Sequence, residues 1–113
     1  MSVIMEVKEQ KKGLYILSVQ GEVDMSSSND VRQQLALLLN GGTAVIIVHL
    51  VRVSYMDSSG IATLVEGLQQ SMKLGILFRL VELSDAVQDI FKLARLESVF
   101  SIYPTIEEAI KEV

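Results

Sequence analysis

Cysteine is missing from all 113 residues of the chain, which excludes a disulfide framework and thiolate chemistry. Histidine is nearly missing: His49 is the single one, so a Ser-His-Asp relay or a metal centre has no other imidazole to draw on. Expected at the end of a strand, a lone histidine is more often packed and hydrogen-bonded than catalytic. No base is evident for a serine nucleophile, ligand spacing for a metal is lacking, and there is no Gly-rich Lys-Ser/Thr loop to cradle a nucleotide. These absences point away from an enzyme and imply neither a cofactor nor a metal. Although half of the residues are hydrophobic, no uncharged apolar run approaches the roughly 18 residues that span a bilayer. Clusters of basic residues are absent too. With 10 Lys and Arg against 14 Asp and Glu, the net charge of −4 argues against a nucleic-acid backbone as partner. Nothing resembles a basic and apolar leader with a cleavage site, so a cytoplasmic location and no membrane insertion are expected.

What is present fits one domain over residues 1–113, long enough to bury a sizeable core. The spacing predicts a first strand over Ser2 to Lys8, a polar turn over Glu9 to Lys12, and a second strand over Gly13 to Gly21 with Leu14, Ile16 and Ser18 on one face. These form an antiparallel hairpin at the edge of a sheet. After the loop Gly21-Glu22-Val23-Asp24, the residues Ser26 to Asn29 offer caps for a helix running to about Leu39, with Val31, Leu35 and Leu38 on its buried face. Asn40-Gly41-Gly42 ends that helix, since glycine tolerates the left-handed conformation a terminus often needs. Thr43 to Leu50 is a β-branched run suited to a buried strand. Val53 to Leu64 then reads as a turn into a helix over Ser59 to Lys73, closed by Leu74-Gly75. Ile61, Leu64, Val65, Leu68 and Met72 form its apolar stripe, and Glu66, Gln69 and Gln70 its outer side.

Ile76 to Val81 is predicted as a strand parallel to the previous one, joined to it by a right-handed crossover. Ser84 caps a further helix with Val87, Ile90, Phe91 and Ala94 on its stripe. Phe100 to Tyr103 is a short last strand. Pro104 opens a final helix with acids in its early turns, expected to pack lightly. The fold class is α/β: a mixed sheet of four or five strands with helices mostly on one face. Asp57 and Ser58 fall at its carboxyl edge, where open α/β sheets place working loops.

The chain is organised around Asp57-Ser58-Ser59-Gly60. A serine at a helix start can accept a hydrogen bond from an unpaired backbone N–H, and an aspartate beside it suits the positive end of the helix dipole. Those duties alone would explain the aspartate and one serine. Beside that commoner reading as a cap stands a rival: a hydroxyl at a helix start is also suited to phosphorylation, because a phosphate there faces backbone N–H groups and a favourable dipole. Residue chemistry leaves both readings open.

The stretch Tyr55-Met56-Asp57-Ser58-Ser59-Gly60, with Gly21-Glu22-Val23-Asp24 upstream and the Ser84 to Phe100 segment downstream, resembles a STAS domain of the bacterial anti-sigma factor antagonist type. The resemblance spans nearly the whole chain. It implies that Ser58 is phosphorylated by an anti-sigma factor with serine kinase activity, that the unmodified chain binds that partner, and that binding releases a sigma factor to act in transcription. It also implies a partner-binding surface of Asp24, Asp57, Ser58, Ser59 and Gly60, bordered by Glu22. On this surface Asp57 orients the hydroxyl or the kinase loop, Ser59 caps the helix or serves as a minor acceptor, and Gly60 admits another backbone closely. The run Asp57 to Glu66 is also similar to STAS proteins that accompany phospholipid-transporting ABC systems. The alternative it implies is a regulatory subunit on a transporter ATPase, with Ser58 and Ser59 as interface hydroxyls.

Overall fold

A computed structural model describes residues 3–113. The elements run β1 (Val3–Lys11), β2 (Leu14–Val23), α1 (Ser28–Leu38), β3 (Val45–Met56), α2 (Ser58–Leu74), β4 (Leu77–Val81), α3 (Asp85–Ala94), β5 (Ser101–Tyr103) and α4 (Ile106–Ile110). The strands form one five-stranded mixed sheet in the order β1-β2-β3-β4-β5. β1 pairs antiparallel with β2, and the remaining neighbours are parallel.

Alternation along the strands sends side chains to two separate cores. Leu17, Val19, Ile46, Val48, Leu50, Phe78 and Leu80 pack with Val31 and Leu35 of α1, Leu64 of α2, and Val87 and Phe91 of α3. Leu14, Ile16, Val45, Ile47 and Val81 pack on the opposite face with Ala109 of α4. Both faces are therefore covered where β3 begins, and Val45, Ile46, Ile47 and Val48 are all buried. That double cover is why the middle strand reads as an unbroken apolar run.

Several boundaries differ from the expectation, each for a physical reason. β1 does not stop at Lys8: Glu9 pairs with Tyr15 and Lys11 with Leu14 across a bulge, so most of the expected turn is strand. The expected start at Ser2 lies outside the described residues. β2 and β3 run on to Val23 and Met56, because Gly21 pairs with Val53 after one register shift, and Glu22 with Tyr55 and Val23 with Met56 after a second. Irregular pairing breaks the period-2 pattern and hides this half of both strands. His49 thus lies inside β3 rather than at its end, with Nε2 3.1 Å from Glu82 Oε1.

α1 ends without a left-handed residue, since Leu39 has φ −85°. The Asn40 side chain closes the turn, donating to the Leu37 carbonyl at 3.0 Å and accepting the Gly42 N–H at 2.9 Å. α2 ends as expected on Gly75, at φ 71°. Its buried line is not the expected stripe. Gly60, Thr63, Leu64, Gly67 and Ser71 are buried, Ile61, Val65 and Leu68 only partly so, and Met72 is 71% exposed. A Cβ on Gly67 would lie 3.1 Å from the Phe78 ring and 3.2 Å from Leu35, so small residues seat this helix against the sheet and α1. Apolar periodicity located the flank of the contact and passed over its centre. Ala94 on α3 is likewise exposed. The expectation of light packing by α4 also fails, because Ala109 is fully buried and the helix supplies the cover of the second core.

Candidate functional site

Val23 and Met56 are direct partners at the ends of parallel neighbouring strands. Asp24 and Asp57, the next residue of each strand, therefore leave the sheet side by side at its carboxyl edge. The Asp57 N–H donates to the Val23 carbonyl at 3.2 Å, tying the two exits together.

Asp57 is the N-cap of α2. Its Oδ1 accepts the Ser59 N–H at 2.9 Å, the Ser59 hydroxyl at 2.6 Å and the Gly60 N–H at 3.4 Å. The capping expected of a serine is thus done by the aspartate, and Ser59 is a donor to the cap. Asp57 occupies the N-cap position itself, from which a carboxylate oxygen reaches the free N–H groups of the first turn. The Ser59 hydroxyl bond holds the Asp57 carboxyl below its ordinary range, opposed in part by burial and by the charge of Asp24. That opposition is the electrostatic mark of two neighbouring acids.

Ser58 is the first residue of α2 and is exposed. Among the described residues no group hydrogen-bonds its hydroxyl. Gly60 is buried. A Cβ there would come within 2.7 Å of Met56 Cγ and 3.0 Å of the Val23 carbonyl oxygen. The backbone that approaches it is the chain's own, so the residue seats α2 on the strand ends.

In the other loop, Asp24 Oδ1 accepts the Ser26 N–H at 2.9 Å and the Ser26 hydroxyl at 2.6 Å. These bonds, the hydroxyl's first, lower the Asp24 carboxyl below its ordinary value. Ser27, expected among the caps of α1, makes no side-chain cap. Its hydroxyl instead donates to the Glu22 carbonyl at 2.6 Å and accepts the Asp24 N–H at 3.0 Å. Glu22 is exposed beside it.

Sequence reasoning missed two features of this edge. Met25, between Asp24 and Ser26, is 84% exposed, and an apolar residue in so polar a loop was a readable signal. Arg32 of α1 joins the helices by pairing with Glu66 at 2.7 Å and reaching Thr63 Oγ1 at 3.4 Å. Thr63 in turn donates to the Ser59 carbonyl at 3.0 Å. Nothing in the spacing of Arg32 announces this. Among the described residues no group of His, Asp and Glu converges as metal ligands do, and no helix is long and apolar enough to cross a membrane.

A family model described as the STAS domain matches residues 6–109. The anti-sigma-B factor antagonist of Bacillus subtilis is 28% identical over 102 residues, covering 90% of this chain and 92% of that protein. Among solved structures, an anti-sigma factor antagonist from Mycobacterium paratuberculosis superposes with a TM-score of 0.87 at 25% identity, over 99% of this chain and 94% of that one. The antagonist SpoIIAA of Bacillus superposes in its unphosphorylated form with a TM-score of 0.80, and in its phosphorylated form with 0.74. The two SpoIIAA structures cover 96% of this chain and 94% and 97% of theirs; at 21% identity they speak for the fold alone.

Proposed function

The chain belongs to the STAS domain family, and from that premise we propose that it is an anti-sigma factor antagonist switched off by phosphorylation of Ser58. It is a binding protein rather than an enzyme. Its partner is a cytoplasmic anti-sigma factor with serine kinase activity, which brings its own ATP. The antagonists of Bacillus subtilis and Mycobacterium paratuberculosis support the sigma pathway over a transporter ATPase.

One observation carries the choice of residue: of the two adjacent serines, Ser59 has its hydroxyl engaged on Asp57 at 2.6 Å, while the Ser58 hydroxyl is exposed and uncommitted. The partner transfers the terminal phosphoryl group of ATP to Ser58 Oγ. An O–P bond forms, the anhydride bond to ADP breaks, and the hydroxyl proton leaves to a base on the kinase. The product adds about −1.5 to −2 charge beside two acids that are already ionised. Free in solution, that phosphate is tolerated at the helix start. Docked on a partner it must be desolvated next to Asp57, and binding weakens. Asp24, Asp57, Ser58 and Ser59 form the contact surface, with Gly60 behind it as the seat. The test is phosphopeptide mapping after incubation with the kinase and ATP. Phosphate on Ser58 is the expected result; phosphate on Ser59 alone, or none with a kinase of verified activity, overturns the assignment.

A further inference from the structure

β1 is nine residues long and forms one edge of the sheet, whereas β5 at the other edge has three. Among the described residues no strand pairs with the outer side of β1. A long open edge presents a row of unpaired N–H and C=O groups, and proteins commonly guard it with charge. Here the guard contains its own complement. Glu6 and Lys8 lie two residues apart, on the same face of the strand and exposed. Neither has an ion pair or a side-chain hydrogen bond among the described residues.

We propose that this edge is a self-association surface, on which a second copy of the chain pairs its β1 antiparallel about a two-fold axis at Val7. In that register the Glu6 of each copy lies directly opposite the Lys8 of the other, and both unpaired charges are matched twice. Centring the axis on Glu6 sets acid against acid, and centring it on Lys8 sets base against base, each unfavourable for residues directly opposite. The bulge between Glu9 and Lys11 limits regular pairing to the part of β1 before it. Apolar surface borders the same strip. Val7 is 41% exposed and Leu37 of α1 is 71% exposed, and Leu37 shares a shallow depression of about 290 Å³ with Val3 and Met5. Val7 faces the same side as Val3 and Met5, so pairing brings the two Val7 side chains together beside the α1 flanks. β2 lies between β1 and β3, so pairing at this edge leaves the loop at Asp57 open for another partner. An interface of one strand edge is small, so the association is reversible and concentration-dependent.

The experiment is sedimentation equilibrium of the whole chain from about 10 to 300 μM, a range suited to a small interface. The expected result is a monomer–dimer equilibrium. Glu6→Lys and Lys8→Glu each weaken it by about tenfold or more, and the double variant Glu6→Lys with Lys8→Glu restores it. Because the chain has no cysteine, Val7→Cys provides a unique thiol. Residues directly opposite in an antiparallel pair have Cα atoms about 4.5–5.5 Å apart, within disulfide reach. Mild oxidation then links two Val7→Cys chains and leaves Ser101→Cys chains on the β5 edge unlinked. A monomer at every concentration overturns the proposal. So does a dimer that the double variant fails to restore, or equal linking at both edges, with circular dichroism confirming that each variant is folded.

Discussion

The loop after β2 and the loop after β3 are built on one plan. In each, an aspartate Oδ1 accepts the N–H and the hydroxyl of the serine two residues on, at 2.9 and 2.6 Å in both. In each, the third residue after the aspartate is buried, Ser27 in one and Gly60 in the other. Such a turn locks its second and third residues and leaves the first as an outward tip. The tips differ: Met25 in one loop, Ser58 in the other. A thioether offers an adaptable apolar contact, and a hydroxyl offers a place for a phosphate. The setting differs as well. α2 starts directly on Ser58 with Asp57 as its cap, whereas α1 starts only at Ser28, capped by no side chain. Only the hydroxyl tip sits where a helix terminus favours an anion. On the proposed function, two loops of similar geometry would divide the work, Met25 serving contact and Ser58 control.

The largest expected effect comes from charging the second tip. Ser58→Ala should bind the anti-sigma factor persistently, while Ser58→Asp should lose at least about 3 kcal/mol, more than a hundredfold in affinity. Titration calorimetry of both variants reads this directly, and equal affinities would end the idea of a switch. Met25→Ala should lower the same affinity by about tenfold or less, as a single contact residue does. If it has no effect, the first loop is not a contact.

Beneath the tips the two seats can be broken separately. Gly60→Ala forces a Cβ to within 3.0 Å of the Val23 carbonyl oxygen, and overpacking of this kind costs about 1–3 kcal/mol. Ser27→Ala removes the hydroxyl that serves both the Glu22 carbonyl and the Asp24 N–H, a loss of about 1–3 kcal/mol. Chemical denaturation measures both, and a midpoint that does not move would mean the turn relaxes around the change.

Removing the helix cap is milder. Asp57→Ala should cost about 1 kcal/mol by the usual value of an N-cap, and Asp24→Ala should cost less because it caps no helix. The smallest effect is that of pH. Both carboxyls are held below the ordinary value of 3.8 in the folded chain. Their contribution is therefore complete above that value and is lost as pH falls through the lower folded one. Acid titration of the double variant Asp24→Asn with Asp57→Asn should show a shallower loss of stability below about pH 4 than the parent chain.

The expected order of strands and helices matches the folded chain because it rests on local chemistry. A strongly apolar run, the serine cap of α3 and the glycine after α2 act within a turn or two of themselves, so the Val45 to Leu50 part of β3, Ser84 and Gly75 could be read directly. The acid, the hydroxyls and their position at a strand-to-helix junction were legible for the same reason.

What tertiary structure decided is everything that depends on a neighbour distant in sequence. Pairing of Val23 with Met56 carried both strands beyond their apolar runs and set Asp24 beside Asp57, which no spacing within either motif contains. Contact with Val23 and Phe78 required glycine at positions 60 and 67, so the buried line of α2 follows small residues rather than large ones. The division between the two serines was decided last, by a hydrogen bond. Asp57 reaches Ser59 because the chain has already turned into a helix, and the hydroxyl it leaves free is Ser58.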